Sequence, residues 1–307
     1  MFNRIWFYKI LLIACLFSNT LPLFAQITDS QKAALDEKNK GFDFYFNCGM
    51  YIGNKFTANY YNGISNPSEV SIYRVVDNTY YREEIKNLIE ERQDVIMDES
   101  GIALDNIETK MRYNMSFIFG FGLIYHFNRN LSLTLSFSQA RLTTIGGVTF
   151  TYNSGVPGNE RPQILVYNVI GKELRNFFEI GTRYTIYANE KVLPFFELAA
   201  QLNSLKVKSA DLVIEDQPFS MMDIYAGQTY VPNSGLTEIN PYLGGVGGGI
   251  VGGFGIRIPF TKTVALEPII QLQYTFMNLK VYDEKKMMPN YNFMVRLIVG
   301  DEIFAKK

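Results

Sequence analysis

Between positions 114 and 127 one parity of the chain is wholly apolar: Met115, Phe117, Phe119, Phe121, Leu123, Tyr125 and Phe127. Asn114, Ser116, Gly120, Gly122 and His126 fall on the other. A repeat of two residues cannot hold one face of a helix, but it puts every apolar side chain of a strand on the same side. The pattern recurs at 42–52, 131–144, 173–187, 192–207, 242–258, 264–276 and 291–303, so eight strands are expected. The one long uncharged stretch, 239–256, contains Pro241 and eight glycines. As a helix it would lose about 8 kcal/mol relative to alanine.

The connections between these segments alternate in length. Those at 53–112, 145–172 and 208–241 hold 60, 28 and 34 residues, whereas 128–130, 188–191 and 259–263 are short. Long on one side and short on the other is the arrangement of a transmembrane barrel. The expected fold is therefore all-β: an eight-stranded antiparallel up-and-down barrel over 42–303, with long extracellular loops, one carrying a short helix. Pro194 and Pro268 fall inside expected strands and predict a bulge or a locally broken ladder, because proline cannot donate to it.

Side-chain volume decides which parity faces outward. The apolar parity includes Leu133, Leu135, Phe178, Ile180, Phe196, Leu198, Ile270, Leu272, Phe293 and Val295. An eight-stranded barrel is only just wide enough for side chains to fill, so that set must point away from the axis. The opposite parity mixes Gly, Ser and Thr with Asp43, Glu173, Arg175, Glu179, Arg183, Glu197, Arg257, Glu267 and Arg296. Residues facing each other across a hairpin have a constant index sum, which sets Arg183 against Glu197, Glu179 against Gln201, and Arg257 opposite or diagonal to Glu267. Arg183, Glu197, Glu179, Arg257 and Glu267 are thus expected to form lumen ion pairs that plug the barrel, since an unpaired charge there would be costly. A soluble lipocalin-like barrel or sandwich would reverse the two faces.

Arg4 and Lys9 precede an apolar run, and Ala25 before Gln26 offers a small-residue cleavage position, so residues 1–25 read as a secretory signal and 26–41 as a short periplasmic segment. Residues 12–15 also resemble a lipobox with Cys15 as the acylated residue. Cleavage would leave 282 residues of net charge −3, without a basic footprint for nucleic acid. Residues 304–307 form a tail.

A leader, alternating amphipathic strands and alternating connection lengths resemble the small OmpA/OmpX-like outer-membrane barrels. The Gly-rich strand at 242–258 and the large loops are similar to the outer-membrane β-barrel domain group that includes PorT-like proteins. That resemblance implies a protein of the bacterial outer membrane, surrounded by lipid and lipopolysaccharide, and envelope anchoring or secretion assembly as one role.

Chemistry at single residues has little to work with. His126 is the only histidine, roughly opposite Ser132, and neither strand of that hairpin supplies an acid to orient the imidazole. A lipid-modifying hydrolase is accordingly the weaker reading, and a non-enzymatic barrel the stronger. With Cys48 the only cysteine after cleavage, no metal-ligand spacing exists and no cofactor is expected. The loops are longer than hairpin closure requires. Helical spacing of Tyr81, Ile85, Leu88, Ile89 and Ile96 predicts an amphipathic helix across 80–96. Segment 53–112 holds 11 acidic and 7 basic residues, and 208–241 holds 5 and 1. An acidic, tyrosine-rich surface built on Tyr60, Tyr61, Tyr73, Tyr80 and Tyr81 is expected to recognise an envelope or surface protein or a glycan, or to bridge to lipopolysaccharide through divalent cations.

Overall fold

The computed structural model describes residues 40–108, 110–156, 161–186, 192–261, 263–279 and 286–300. The expected leader at 1–25 with Cys15, the segment at 26–39 and the tail at 304–307 lie outside the described residues. Eleven strands form one antiparallel sheet. They are β1 (Gly41–Ile52), β2 (Met97–Ile107), β3 (Arg112–Tyr113), β4 (Ser116–His126), β5 (Leu131–Ser154), β6 (Gln163–Thr185), β7 (Leu193–Ile214), β8 (Gln217–Ser220), β9 (Gly244–Pro259), β10 (Val264–Phe276) and β11 (Met288–Gly300). The first long connection folds into α1 (Lys55–Ala58), a 3-10 turn (Asn59–Asn62), α2 (Tyr73–Val76) and α3 (Thr79–Gln93). No described helix is long and apolar enough to cross a membrane.

The described residues hold eleven strands against the expected eight. Pairings run from β1 through β4, β5, β6, β7, β9, β10 and β11 and back to β1, which closes the wall. β2 and β3 pair with β5 outside this path, and β8 pairs with β7. The additional strands exist because β5, β6 and β7 run far past the others, to 24, 23 and 22 residues. Most of the expected loop at 145–172 is therefore strand.

The faces exchange character along these three strands. In the lower part of β5, Leu131, Leu133 and Leu135 are exposed, while Ser132, Thr134 and Ser136 are buried. In its upper part the buried parity carries Leu142, Val148, Phe150 and Tyr152, and the outer one Arg141, Thr143, Thr149 and Thr151. β6 repeats the exchange, with Phe178, Ile180 and Tyr184 outside below and Leu165, Tyr167 and Val169 inside above. Ile145, Ile164 and Val166 are exposed exceptions in the upper part.

The outward apolar residues form a continuous girdle. On β1 it runs from Phe42 to Ile52 through Phe44, Phe46 and Met50. At a rise of about 3.4 Å per residue and a strand tilt near 40°, that is a band about 26 Å tall. Tyr184 lies on it near the short-turn end, and Tyr274 and Tyr291 near the other.

Above the girdle, Ile85 and Ile89 of α3, Val75 and Val76 of α2, and Tyr60, Tyr61 and Ile72 pack onto the inner faces of β5, β6 and β7 in one apolar core. The helical turns form a cap closing the long-loop mouth. Gly171 is needed there, since a Cβ on it would stand 2.3 Å from Cγ of Tyr61. The helix expected over 80–96 ends at Gln93, where Asp94 turns left-handed with φ 52°, and Ile96 is exposed instead of joining the core.

The two prolines differ in effect. Pro194 is the second residue of β7: its carbonyl accepts from the Ile186 N–H at 2.8 Å, so only the reciprocal bond at the end of the β6 ladder is lost, and the pairing with β9 runs through it unshifted. Beside Pro268 the ladder between β10 and β9 skips Glu267 and Pro268, then resumes in the same register. The one register shift in the wall lies elsewhere, at Lys172 and Glu173 between β6 and β7.

Candidate functional site

Inside the lower barrel the charged side chains form connected groups. Arg183 directs Nε to Glu197 Oε1 at 2.8 Å, and Nη1 and Nη2 to the two oxygens of Glu267 at 2.7 Å each. Arg296 Nη1 reaches Glu197 Oε1 at 2.6 Å. Arg183 also lies over the Phe195 ring, 4.0 Å from its centre, and a Cβ on Gly255 would strike that ring at 2.4 Å. Arg257 is placed differently from the expectation: Nη2 lies 2.8 Å from Asp43 Oδ2, while its approach to Glu267 is a weaker 3.9 Å. Glu179 makes no ion pair within 4.0 Å among the described residues. It accepts hydrogen bonds from Ser136 Oγ, Gln201 Nε2 and Gln273 Nε2. Hairpin arithmetic sees only pairs along one turn, so it missed Arg296 and Asp43, which arrive from across the barrel.

A second buried group lies under the cap. Glu173 Oε2 accepts from the hydroxyls of Tyr61 at 2.6 Å and Tyr113 at 3.0 Å, and Arg175 donates to Glu173, Tyr51 and Thr57. Tyr60 and Tyr61 therefore do not belong to a recognition surface: both are fully buried, their rings 5.3 Å apart and edge-on. The 3-10 turn carries them inward, a placement that composition alone does not reveal.

At the short-turn end, His126 Nε2 lies 3.0 Å from Asp43 Oδ2, and Ser132 Oγ 2.7 Å from His126 Nδ1. The orienting carboxylate that the hairpin lacked comes from β1, the strand on its other side. Serine, imidazole and carboxylate are the components of nucleophilic catalysis. Ser132 is 1% exposed and Asp43 is shared between His126 and Arg257, so the four side chains form one hydrogen-bonded group at the lower rim. Cys48 is a free, exposed thiol, and no group of three or more acidic, histidine or cysteine residues among the described residues could hold a metal ion.

Tyr73, Tyr80 and Tyr81 are carried by α2 and α3. Tyr73 and Tyr80 are exposed and Tyr81 half-buried. Asn78 starts α3 by accepting from the backbone N–H groups of Tyr80 and Tyr81, and its Nδ2 donates to the Tyr230 carbonyl at 3.2 Å. That bond joins the helix to the segment between β8 and β9. Tyr230 stacks on Tyr81 with ring centres 4.3 Å apart and planes within 8°, and Tyr225 stacks on Tyr230 at 5.7 Å. Between helix and segment opens a recess of about 360 Å³ that includes Tyr73, Asp77, Tyr81, Asp223, Tyr225 and Tyr230. Burial raises the Tyr81 phenol, so it remains a hydrogen-bond donor at neutral pH. Arg74, beside the recess, spends its guanidinium on the carbonyls of Ser68, Glu69 and Met221. Flat aromatic faces beside carboxylates suit a ligand with an apolar surface and hydrogen-bond donors. Tyr80 does not line the recess, and Tyr225 and Tyr230 were not singled out in the sequence because their segment has no helical or strand period.

No family model and no curated protein matches the chain. Among solved structures it is similar to Neisserial surface protein A, at 8% identity and a TM-score of 0.39 over 84% of this chain and 96% of that one. The outer membrane protein OprG from Pseudomonas aeruginosa is 11% identical, with a TM-score of 0.35 over 85% and 94%. Ail, the attachment invasion locus protein of Yersinia pestis, solved in complex with the heparin analogue sucrose octasulfate, is 11% identical with a TM-score of 0.31 over 85% and 97%.

Proposed function

We propose that the chain is an integral protein of the bacterial outer membrane, its girdle in lipid, its lumen plugged by ion pairs, and its cap exposed outside as a recognition surface for a surface protein or glycan. The change of the outward face along β5 carries this reading. A strand whose outer parity is Leu131, Leu133 and Leu135 below and Thr143, Thr149 and Thr151 above passes from an apolar solvent to an aqueous one while keeping the same side outward. A soluble barrel would have to leave the whole girdle in water, far beyond the apolar patch a soluble monomer tolerates. The cap on the aqueous side holds the tyrosine recess, which is the binding site in this reading.

Fractionation, surface labelling and binding measurements test it. The protein should fractionate with outer membranes and migrate differently on gels before and after heating, and recovery as a soluble periplasmic protein sinks the reading. On intact cells, Asp77→Cys should react with an impermeant maleimide and Asn128→Cys should not, both in a Cys48→Ser background. The reverse labelling would turn the barrel over and remove the recess from the outside. Substituting Tyr81 and Tyr230 with Ala should abolish binding of glycan or surface-protein ligands that the unaltered protein retains, whereas Ser132→Ala should leave binding intact. A hydrolytic activity lost in Ser132→Ala would favour the enzyme reading instead.

A further inference from the structure

The outer wall of β5, β6 and β7 changes in steps where the girdle ends. Register places Phe137, Phe178 and Leu202 in its last apolar row, followed by a row of Gln139, Asn176 and Ser204. Next come Arg141, Leu174 and Lys206, and then Thr143 and Lys172, with Lys208 alongside at the register shift. Arg141, Lys172 and Lys208 are exposed and Lys206 is half-buried. Arg141, Lys172 and Lys208 converge on a recess of about 410 Å³ whose wall also includes Thr143 and Leu174.

None of these four cations has a carboxylate within 4.0 Å among the described residues. Lys206 Nζ stands 6.0 Å from the centre of the Tyr242 ring, and Asp211 feels Lys172 only as a longer-range charge. Glu173, adjacent in sequence, points inward and is engaged by Arg175, Tyr61 and Tyr113. Four neighbouring positive charges repel one another, and Asp211, one row further along the same face, answers only Lys172 and only at longer range. The position of the four tells what neutralises the rest.

Successive outward rows rise by about 5 Å along the barrel axis, which puts the two cationic rows about 10 and 15 Å beyond the last apolar one. Long Arg and Lys stems reach back along the wall. Their charged ends thus meet the polar layer of a bilayer leaflet, about 5 to 8 Å deep beyond the hydrocarbon. The anions of that layer are lipid phosphates.

We propose that Arg141, Lys172, Lys206 and Lys208 form a binding site for the phosphate groups of a lipid in the leaflet on the cap side. Arg141 offers two parallel donors to one phosphate, and the lysines add point charges. Acyl chains of the same lipid lie along Phe137, Phe178 and Leu202. The proposal rests on the girdle being lipid-facing, and it requires no divalent cation.

Native mass spectrometry of the purified full-length protein in a non-ionic detergent tests the site, with bisphosphorylated lipid A as the probe. The unaltered protein should retain it, and removing both phosphates from the probe should weaken binding at least tenfold. The combined Arg141→Gln, Lys172→Gln, Lys206→Gln and Lys208→Gln variant should show the same loss, and Arg92→Gln on the exposed side of α3 none. Should the fourfold variant lose its heat-modifiable migration, Arg141→Gln and Lys172→Gln alone should each weaken binding about threefold. Equal binding of the dephosphorylated probe, undiminished binding by the variants, or displacement of the probe by millimolar inorganic phosphate would overturn the proposal. Phosphate-dependent binding through these residues by a protein that stays out of lipid vesicles would support the site while refuting the membrane reading.

Discussion

The lower and upper parts of β5, β6 and β7 are the same strands in the same sheet, yet they are built on opposite principles. Below, Arg183 and Glu179 point inward and Phe178 and Ile180 point out. Above, Val169 and Leu165 point inward, while Asn168 and Lys172 point out. Neither strand propensity nor hydrogen bonding distinguishes the halves, because the β5–β6 ladder is continuous from Leu131 to Tyr152. What differs is the polarity of the outward side chains, which the proposed membrane setting accounts for, and the volume inside. The lower lumen is closed by its own facing side chains, with charge neutralised in place. The upper one receives a helical cap and can afford an ordinary apolar core.

The harshest way to break the lower half is to remove one member of its charge network. Arg183→Met leaves Glu267 facing only the 3.9 Å approach of Arg257, and leaves Glu197 with Arg296 alone. An uncompensated buried charge costs roughly 3 to 5 kcal/mol. Urea unfolding in lipid vesicles should show a loss of that size, and adding Glu267→Gln should restore part of it. Strict additivity of the two single changes would mean that the pair is not coupled.

The next test compares the outer faces directly. Ile180→Arg places a charge on the girdle, where the penalty in a bilayer is about 2 to 4 kcal/mol. Thr149→Arg makes a similar addition on the outer face of the upper half, where a surface change is within about 0.5 kcal/mol. If both variants unfold at the same urea concentration, the two halves share one solvent and the membrane reading fails.

This exchange also explains what the sequence disclosed and what it concealed. Where a strand keeps one apolar parity throughout, as β10 does, the pattern marks its limits at Val264 and Phe276. In β5 the apolar parity switches between Phe137 and Ala140, so alternation on the first parity fades and the strand looks finished near Thr144, although it continues to Ser154. Pairing arithmetic correctly opposes Arg183 to Glu197 because one tight turn fixes both. It is blind to Arg183 with Glu267 and His126 with Asp43, which meet only once the wall is closed. The recess was half legible. Tyr73 and Tyr81 lie in or beside a segment with helical spacing, whereas Tyr225 and Tyr230 sit in an irregular chain that α3 holds through the Asn78 amide and the Tyr81 ring.

That bond supports the smallest of the expected effects and the one most specific to the upper half. Asn78 caps α3 through Oδ1 and ties down the 220–230 segment through Nδ2. Asn78→Ala removes both, and loss of an N-cap side chain costs about 1 kcal/mol. Because α3 fully buries only Ile85 and Ile89 in the cap core, with Tyr81 and Leu88 packed partly against it, the loss should be confined to local opening there, with the barrel ladder untouched. Hydrogen exchange should accelerate about fivefold in α3 and in the segment carrying Tyr230, with no change in β1, β10 or β11. Asn78→Asp keeps the cap acceptor but lacks the amide donor, so it should protect α3 while still loosening Tyr230 from Tyr81. If exchange rises throughout the barrel instead, cap and wall unfold as one unit, and the two halves differ in their surroundings but not in their stability.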